Sequence, residues 1–129
     1  MIARLQNLGL AKVTAALHAF ATRPRHLQWG TGSGAAADAT AVTTTGTTEA
    51  RTAGTSSQQT DTVANDTYQV EGTVTAAAAR AITEVGVFDA AGTGSPPTGG
   101  NMDIYGDFAV INLGANDGIA FTIKVRFSS

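Results

Sequence analysis

The stretch 81–90, Ala-Ile-Thr-Glu-Val-Gly-Val-Phe-Asp-Ala, constrains this chain most. As an extended strand it sends Thr83, Val85 and Val87 to one side and Ile82, Glu84, Gly86 and Phe88 to the other. Apolar groups on both sides describe a central strand packed on two faces, not a solvated edge. Glu84 then needs a partner, because an uncompensated buried carboxylate is costly. Arg80 and Arg126 are the candidates, and a structural ion pair of Glu84 with Arg126 is the expectation.

Companion strands follow from period-two patterning. In 119–127, Ile119, Phe121, Ile123, Val125 and Phe127 alternate with Ala120, Thr122, Lys124 and Arg126. From Asn65 onward, Tyr68, Val70 and Val74 alternate with Gln69, Glu71, Thr73 and Thr75, and Gly72 interrupts the inner row as at a bulge. Residues 102–111 read as a further strand, with Asn116-Asp117-Gly118 the tightest turn candidate before the last one. Residues 26–31 form a short strand with Leu27 and Trp29 on one side. The 76–79 connector is too short for a stable helix. Ser95-Pro96-Pro97 marks 92–100 as an exposed loop tip, since Pro cannot donate to a ladder.

Ahead of the strands, residues 2–21 carry a helical pattern. Leu10, Val13, Leu17 and Phe20 follow a 3-4-3 spacing on one face, and Ile2 and Leu5 make a similar pair. Pro24 forbids continuation, and Arg23 and Arg25 suit the negative helix end. Two surfaces remain open to that stripe: the sheet of its own subunit, or a symmetry mate or larger partner. The order of elements predicts a mainly β protein, an antiparallel, jelly-roll-like β-sandwich with one N-terminal α-helix. One domain spans 1–129, with the helix in 1–23, an arm or loop in 35–60 and the sandwich body in 65–127.

The arm is Ala-rich, then Thr-rich, and includes Thr43, Thr44, Thr45 and Arg51. β-branched Thr favours extended backbone, but the segment lacks the apolar bulk for a core of its own. Order gained against neighbouring subunits and a disordered loop are both consistent with it. Composition points the same way: only 14% of the 129 residues are charged, and much of the 43% hydrophobic fraction is alanine. Such a surface suits a protein covered by neighbours.

Composition also narrows function. A net charge of −2 without a basic run gives no nucleic-acid footprint. The absence of Cys removes disulfides and thiolate chemistry. No apolar run approaches the roughly 20 residues that span a bilayer, and Arg4, Gln6, Asn7, Lys12 and His18 break up any signal-peptide core.

Four places carry residue types from which a catalytic site could be built. Gly30-Thr31-Gly32-Ser33-Gly34 lacks the Lys of a phosphate loop and the third glycine spacing of a dinucleotide fingerprint, although Glu49 stands about 20 residues on. His18 and His26 lie in different elements, without ligand spacing. Asp103 and Asp107, on one strand face, stand about 13 Å apart, wide for a catalytic pair. Glu84 has no nucleophile–base arrangement around it. The expectation is a protein that is not an enzyme and uses no cofactor or metal.

Several phrases, in order, carry a resemblance. They are Trp29-Gly30-Thr31-Gly32, Arg51-Thr52-Ala53-Gly54, Asn65-Asp66-Thr67-Tyr68-Gln69-Val70, Ile82-Thr83-Glu84-Val85-Gly86-Val87-Phe88-Asp89, Gly106-Asp107-Phe108 and Phe121-Thr122-Ile123-Lys124-Val125-Arg126-Phe127. Together they resemble small structural proteins of tailed bacteriophages: capsid decoration (cement) proteins and the attachment domains of tail fibres. The resemblance implies a virion protein with a β-sandwich body and symmetric, trimeric assembly, and it does not separate capsid from tail. The leading expectation is a capsid decoration (cement) protein on the capsid surface, assembled in the host cytoplasm as a homotrimer. Its expected partners are the major capsid protein and itself, with no nucleic acid and no membrane. A tail component (fibre attachment or collar protein) is the alternative. A carbohydrate-binding module would need an aromatic platform from Trp29, Tyr68 and Tyr105. Contacts are expected from Leu10, Val13, Leu17, Phe20, Thr43, Thr44, Thr45 and Arg51.

Overall fold

The computed structural model describes residues 1–42 and 47–128. The helix α1 (Asn7–Ala19) is followed by seven strands: β1 (His26–Gly30), β2 (Thr52–Ala53), β3 (Thr55–Gln59), β4 (Thr67–Thr75), β5 (Arg80–Phe88), β6 (Met102–Leu113) and β7 (Gly118–Arg126). Two antiparallel sheets, ordered β2-β1-β5-β6 and β3-β4-β7, form a β-sandwich. The body thus begins well before residue 65. β1 pairs with β5 over its whole length, from His26 opposite Phe88 to Gly30 opposite Glu84.

The core lies between the sheets. Leu27 and Trp29 of β1 and Ile82, Val85 and Val87 of β5 face Tyr68, Val70 and Val74 of β4, closed at one end by Ala76. β5 is central and covered on both faces, as its pattern predicts, but with one difference. A register shift between Ile82 and Glu84 breaks strict alternation, so Ile82 joins Val85 and Val87 in the core. A bulge inserts one extra residue, so the alternation of faces changes phase across it.

Gly72 shows the reverse. β4 and β7 pair without interruption through Gly72 opposite Phe121. Its missing side chain makes room for the facing sheet, because a Cβ there would sit 2.7 Å from Leu27 Cδ1.

The second face of β5 is covered by the chain's own loops. Val42, Thr47, Arg51 and Pro97 are buried. Val42 lies over Gly86, where an added Cβ would meet its Cγ1 at 3.1 Å. In its described parts the 35–60 arm therefore packs on its own subunit and contributes β2 and β3. The 92–100 tip also folds back: Arg51 donates to Gly99 O, Gln28 to Pro97 O and Ser95 to Thr48 O.

Helix α1 begins later than the sequence pattern, at Asn7. Gln6 is extended and makes no side-chain cap. Residues 1–6 are exposed. A short helix is held mainly by tertiary packing, and α1 packs on β3 and β4. Phe20 is already extended, and its N–H closes the helix on Leu17 O.

Candidate functional site

The helix presents one face to its own sheet, and that face is rotated from the predicted stripe. Leu10 is 2% exposed and Thr14 fully buried. Thr14 donates its hydroxyl to Asn65 O (2.6 Å), and Gln58 Nε2 donates to Thr14 Oγ1 (2.9 Å) and Ala11 O (3.2 Å). His18 Nδ1 meets Ser56 Oγ at 2.9 Å. These polar ties, on Thr14 rather than Val13, decide the rotation. Leu10 is thereby turned inward and is not offered to a partner, Val13 and Leu17 are half-buried, and Phe20 is 62% exposed.

The opposite helix face carries Leu8, Lys12, Ala15 and Ala19 at 4-3-4 spacing, all exposed, Leu8 at 81%. Ile2 and Leu5 ahead of the helix and Phe20 behind it are exposed as well. Beside Phe20 lies a hollow of about 440 Å³ bordered by Leu17, Pro24, Asp89, Asn101 and Asp103. Asp89 accepts from the Asn101 backbone N–H (2.7 Å) and side-chain amide (2.8 Å), which hold its carboxyl below the usual range. Asp103 is pushed up by burial and by the charge of Asp89.

A second uncovered region runs between β6 and β7, each an end strand of its sheet. A cleft of about 510 Å³ opens there, lined by Val85, Val87, Ile104, Gly106, Ile123 and Lys124, among others. Phe108 of β6 and Phe121 of β7 meet at 6.1 Å between ring centroids. The core-facing Ile104, Phe108, Ile119, Phe121, Ile123 and Val125 are all only half-buried.

The remaining predicted residues belong to the interior framework. Arg51 is buried: its Nε donates to Gln28 Oε1 (2.8 Å) and its NH1 to Ala90 O (3.0 Å) and Gly99 O (2.8 Å). It is a clamp within the subunit. Glu84 and Arg126 stand on different sheets with other partners, so the expected pair gives way to two separate arrangements. Glu84 is fully buried and accepts the Gly32 N–H (3.1 Å) and the Tyr105 hydroxyl (2.7 Å). Arg126 points outward from β7 and pairs with Asp61 at 2.7 Å, both half-exposed. Arg80 pairs with Glu49 at 3.1 Å. Burial pushes the Glu49 carboxyl up, but the Ala77 N–H, Trp29 indole and Arg80 outweigh it and hold it low. Thr43, Thr44 and Thr45 lie outside the described residues.

Trp29 and Tyr68 are core residues, Tyr68 donating to Pro24 O, so the three aromatics do not form a platform. Asp103 and Asp107 part ways: Asp103 borders the hollow near Phe20, and Asp107 accepts the Gly34 N–H. Among the described residues no three of His, Asp and Glu gather as a metal site. Among the same described residues no helix is long and apolar enough to cross a membrane.

Sequence reasoning missed Leu8 and the β6–β7 cleft. Leu8 stands off the apolar stripe, and its exposure follows from Thr14 docking inward, which polarity alone conceals. No protein-family model, curated protein or solved structure matches this chain.

Proposed function

We propose that this chain is a structural protein of a tailed-bacteriophage virion, a capsid decoration (cement) protein that binds the major capsid shell as a homotrimer and stabilises it. The phage assignment rests on the ordered phrases from Trp29 to Phe127. The observation that carries the binding role is the outer side of α1. There Leu8, Ala15 and Ala19 lie in the open beside Lys12, with exposed Ile2 and Leu5 ahead of the helix and exposed Phe20 behind it, on a sandwich whose β5 is covered on both faces.

The mechanism is passive. Each copy places a small apolar face on the shell, at about 25 cal/mol per Å² of apolar area buried, and symmetry multiplies the contact. Bound copies raise the threshold for shell rupture because rupture must also break their contacts.

Purified particles test the reading. Particles stripped of the protein are expected to rupture at lower temperature, with resistance restored by adding back the wild-type chain but not Leu8→Glu or Phe20→Glu. Stripped particles as resistant as intact ones overturn the cement role. A copy number set by the tail's symmetry, in place of the capsid lattice, moves the protein to the tail.

A further inference from the structure

We infer that the cleft between β6 and β7 is a self-association interface, in which the β6 edge of one copy pairs with the β7 edge of the next. This gives the homotrimer proposed above its contact and rests on that part of the reading alone. Shell binding is not involved.

Three observations carry it. First, β6 and β7 end their sheets, and no described strand pairs with the far edge of either. Edge strands of this kind are templates for strand addition. Second, the core stays open along this side, with six core-facing side chains of β6 and β7 only half-buried. A second copy would complete that burial, which the other described parts of this chain do not.

Third, charge selects the pairing. Asp107 lies opposite Glu84 in the ladder, hence on the face of the four-stranded sheet away from the core. Lys124 alternates with the core-facing Ile123 and Val125, hence on the outer face of the three-stranded sheet. Pairing β6 with a neighbour's β7 makes these outer faces continuous, and an antiparallel register that sets Asp107 beside Lys124 joins opposite charges. Pairing β6 with β6, or β7 with β7, brings like charges together. A head-to-tail contact of this kind closes into a ring when its rotation closes, and the proposed homotrimer requires three copies. The ladder from β6 to β5 is uninterrupted over 104–107 and over 111–113.

The chain has no cysteine, which makes cross-linking clean. Ala109 and Thr122 are exposed and alternate with the core-facing Phe108 and Ile123, which puts them on the same outer faces as Asp107 and Lys124, so Ala109→Cys and Thr122→Cys keep both charges and the fold. The two variants, purified separately, mixed and treated with a short bis-maleimide, are expected to give a mixed dimer of about twice 13.0 kDa. Each variant alone is expected to give several-fold less. In sedimentation, Lys124→Glu is expected to dissociate the wild-type oligomer to monomer, and Asp107→Lys in the same chain to restore it, with circular dichroism unchanged. A wild-type chain monomeric at tens of micromolar overturns the proposal, as does cross-linking within single variants only.

Discussion

The guanidinium of Arg51 lies 3.6 Å from the centroid of the Phe88 ring. This stacking joins the chain just before β2 to the end of the central strand. From the same position the fork donates to Gln28 on β1 and to Ala90 and Gly99 at the two ends of the 89–101 loop. One buried cation thus fastens three separate segments.

Arg51→Ala is expected to cost about 3 kcal/mol, because it strands buried acceptors and removes the ring contact. For a domain of this size that is a fall in melting temperature of roughly 10 °C. Arg51→Lys is expected to fall between, since an ammonium keeps the charge but loses the fork. Thermal unfolding by circular dichroism measures both, and an unchanged Arg51→Ala midpoint contradicts the clamp.

Gly86→Ala is expected to destabilise the protein by about 1–3 kcal/mol through overpacking. The added Cβ would lie 2.7 Å from Met102 Sδ, 2.8 Å from Phe88 Cε2 and 3.1 Å from Val42 Cγ1. Gly106→Ala, in open space on the neighbouring strand, is the control and is expected to leave the denaturant midpoint in place.

Tyr105→Phe removes the hydroxyl that donates to buried Glu84. The expected loss is about 1–3 kcal/mol, the range for depriving a buried polar group of a bond. Equilibrium urea unfolding reads it as a lower midpoint with the slope unchanged.

Two acid-sensitive groups separate by pH. Burial, followed by the charges of Arg25 and Arg51, lowers the His26 pKa below 6.5, while Asp89 opposes this more weakly; its Nδ1 is buried without a hydrogen bond among the described residues. The unfolded chain therefore takes up the proton first, and stability falls as pH drops below about 6.5. Asp66 acts in the same direction at lower pH. Burial raises its pKa, but the N–H groups of Asp61, Val63 and Thr62 and the Thr67 hydroxyl hold it far below 3.8. Its contribution is full above the unfolded value and is lost only in stronger acid. Urea midpoints are expected to fall in two steps on acidification, and His26→Gln is expected to abolish the first alone.

The elements were largely legible in the sequence, because each carries its own period. The alternation of Ile119, Phe121, Ile123 and Val125 marks β7 on its own, and apolar groups on both sides mark β5 as central. What covers a face was not legible. The face of α1 that docks turns on Thr14 finding Asn65, 51 residues away, and Thr14 looks like a surface residue until that partner is in place. That Glu84 needs a partner follows from its strand, but that Tyr105 and Gly32 supply it does not, and nothing near Arg51 in sequence points to Phe88 beneath it.

The sequence alone determined the sandwich class, the N-terminal helix and the two-sided burial of 81–90, since periodicity and turn chemistry act within a few residues. The tertiary structure decided that a bulge sends Ile82 into the core, that the arm folds back as the subunit's own cover, and that β6 and β7 leave the core open between them. Those outcomes depend on the spacing between two sheets and on contacts across tens of residues, which no local pattern encodes.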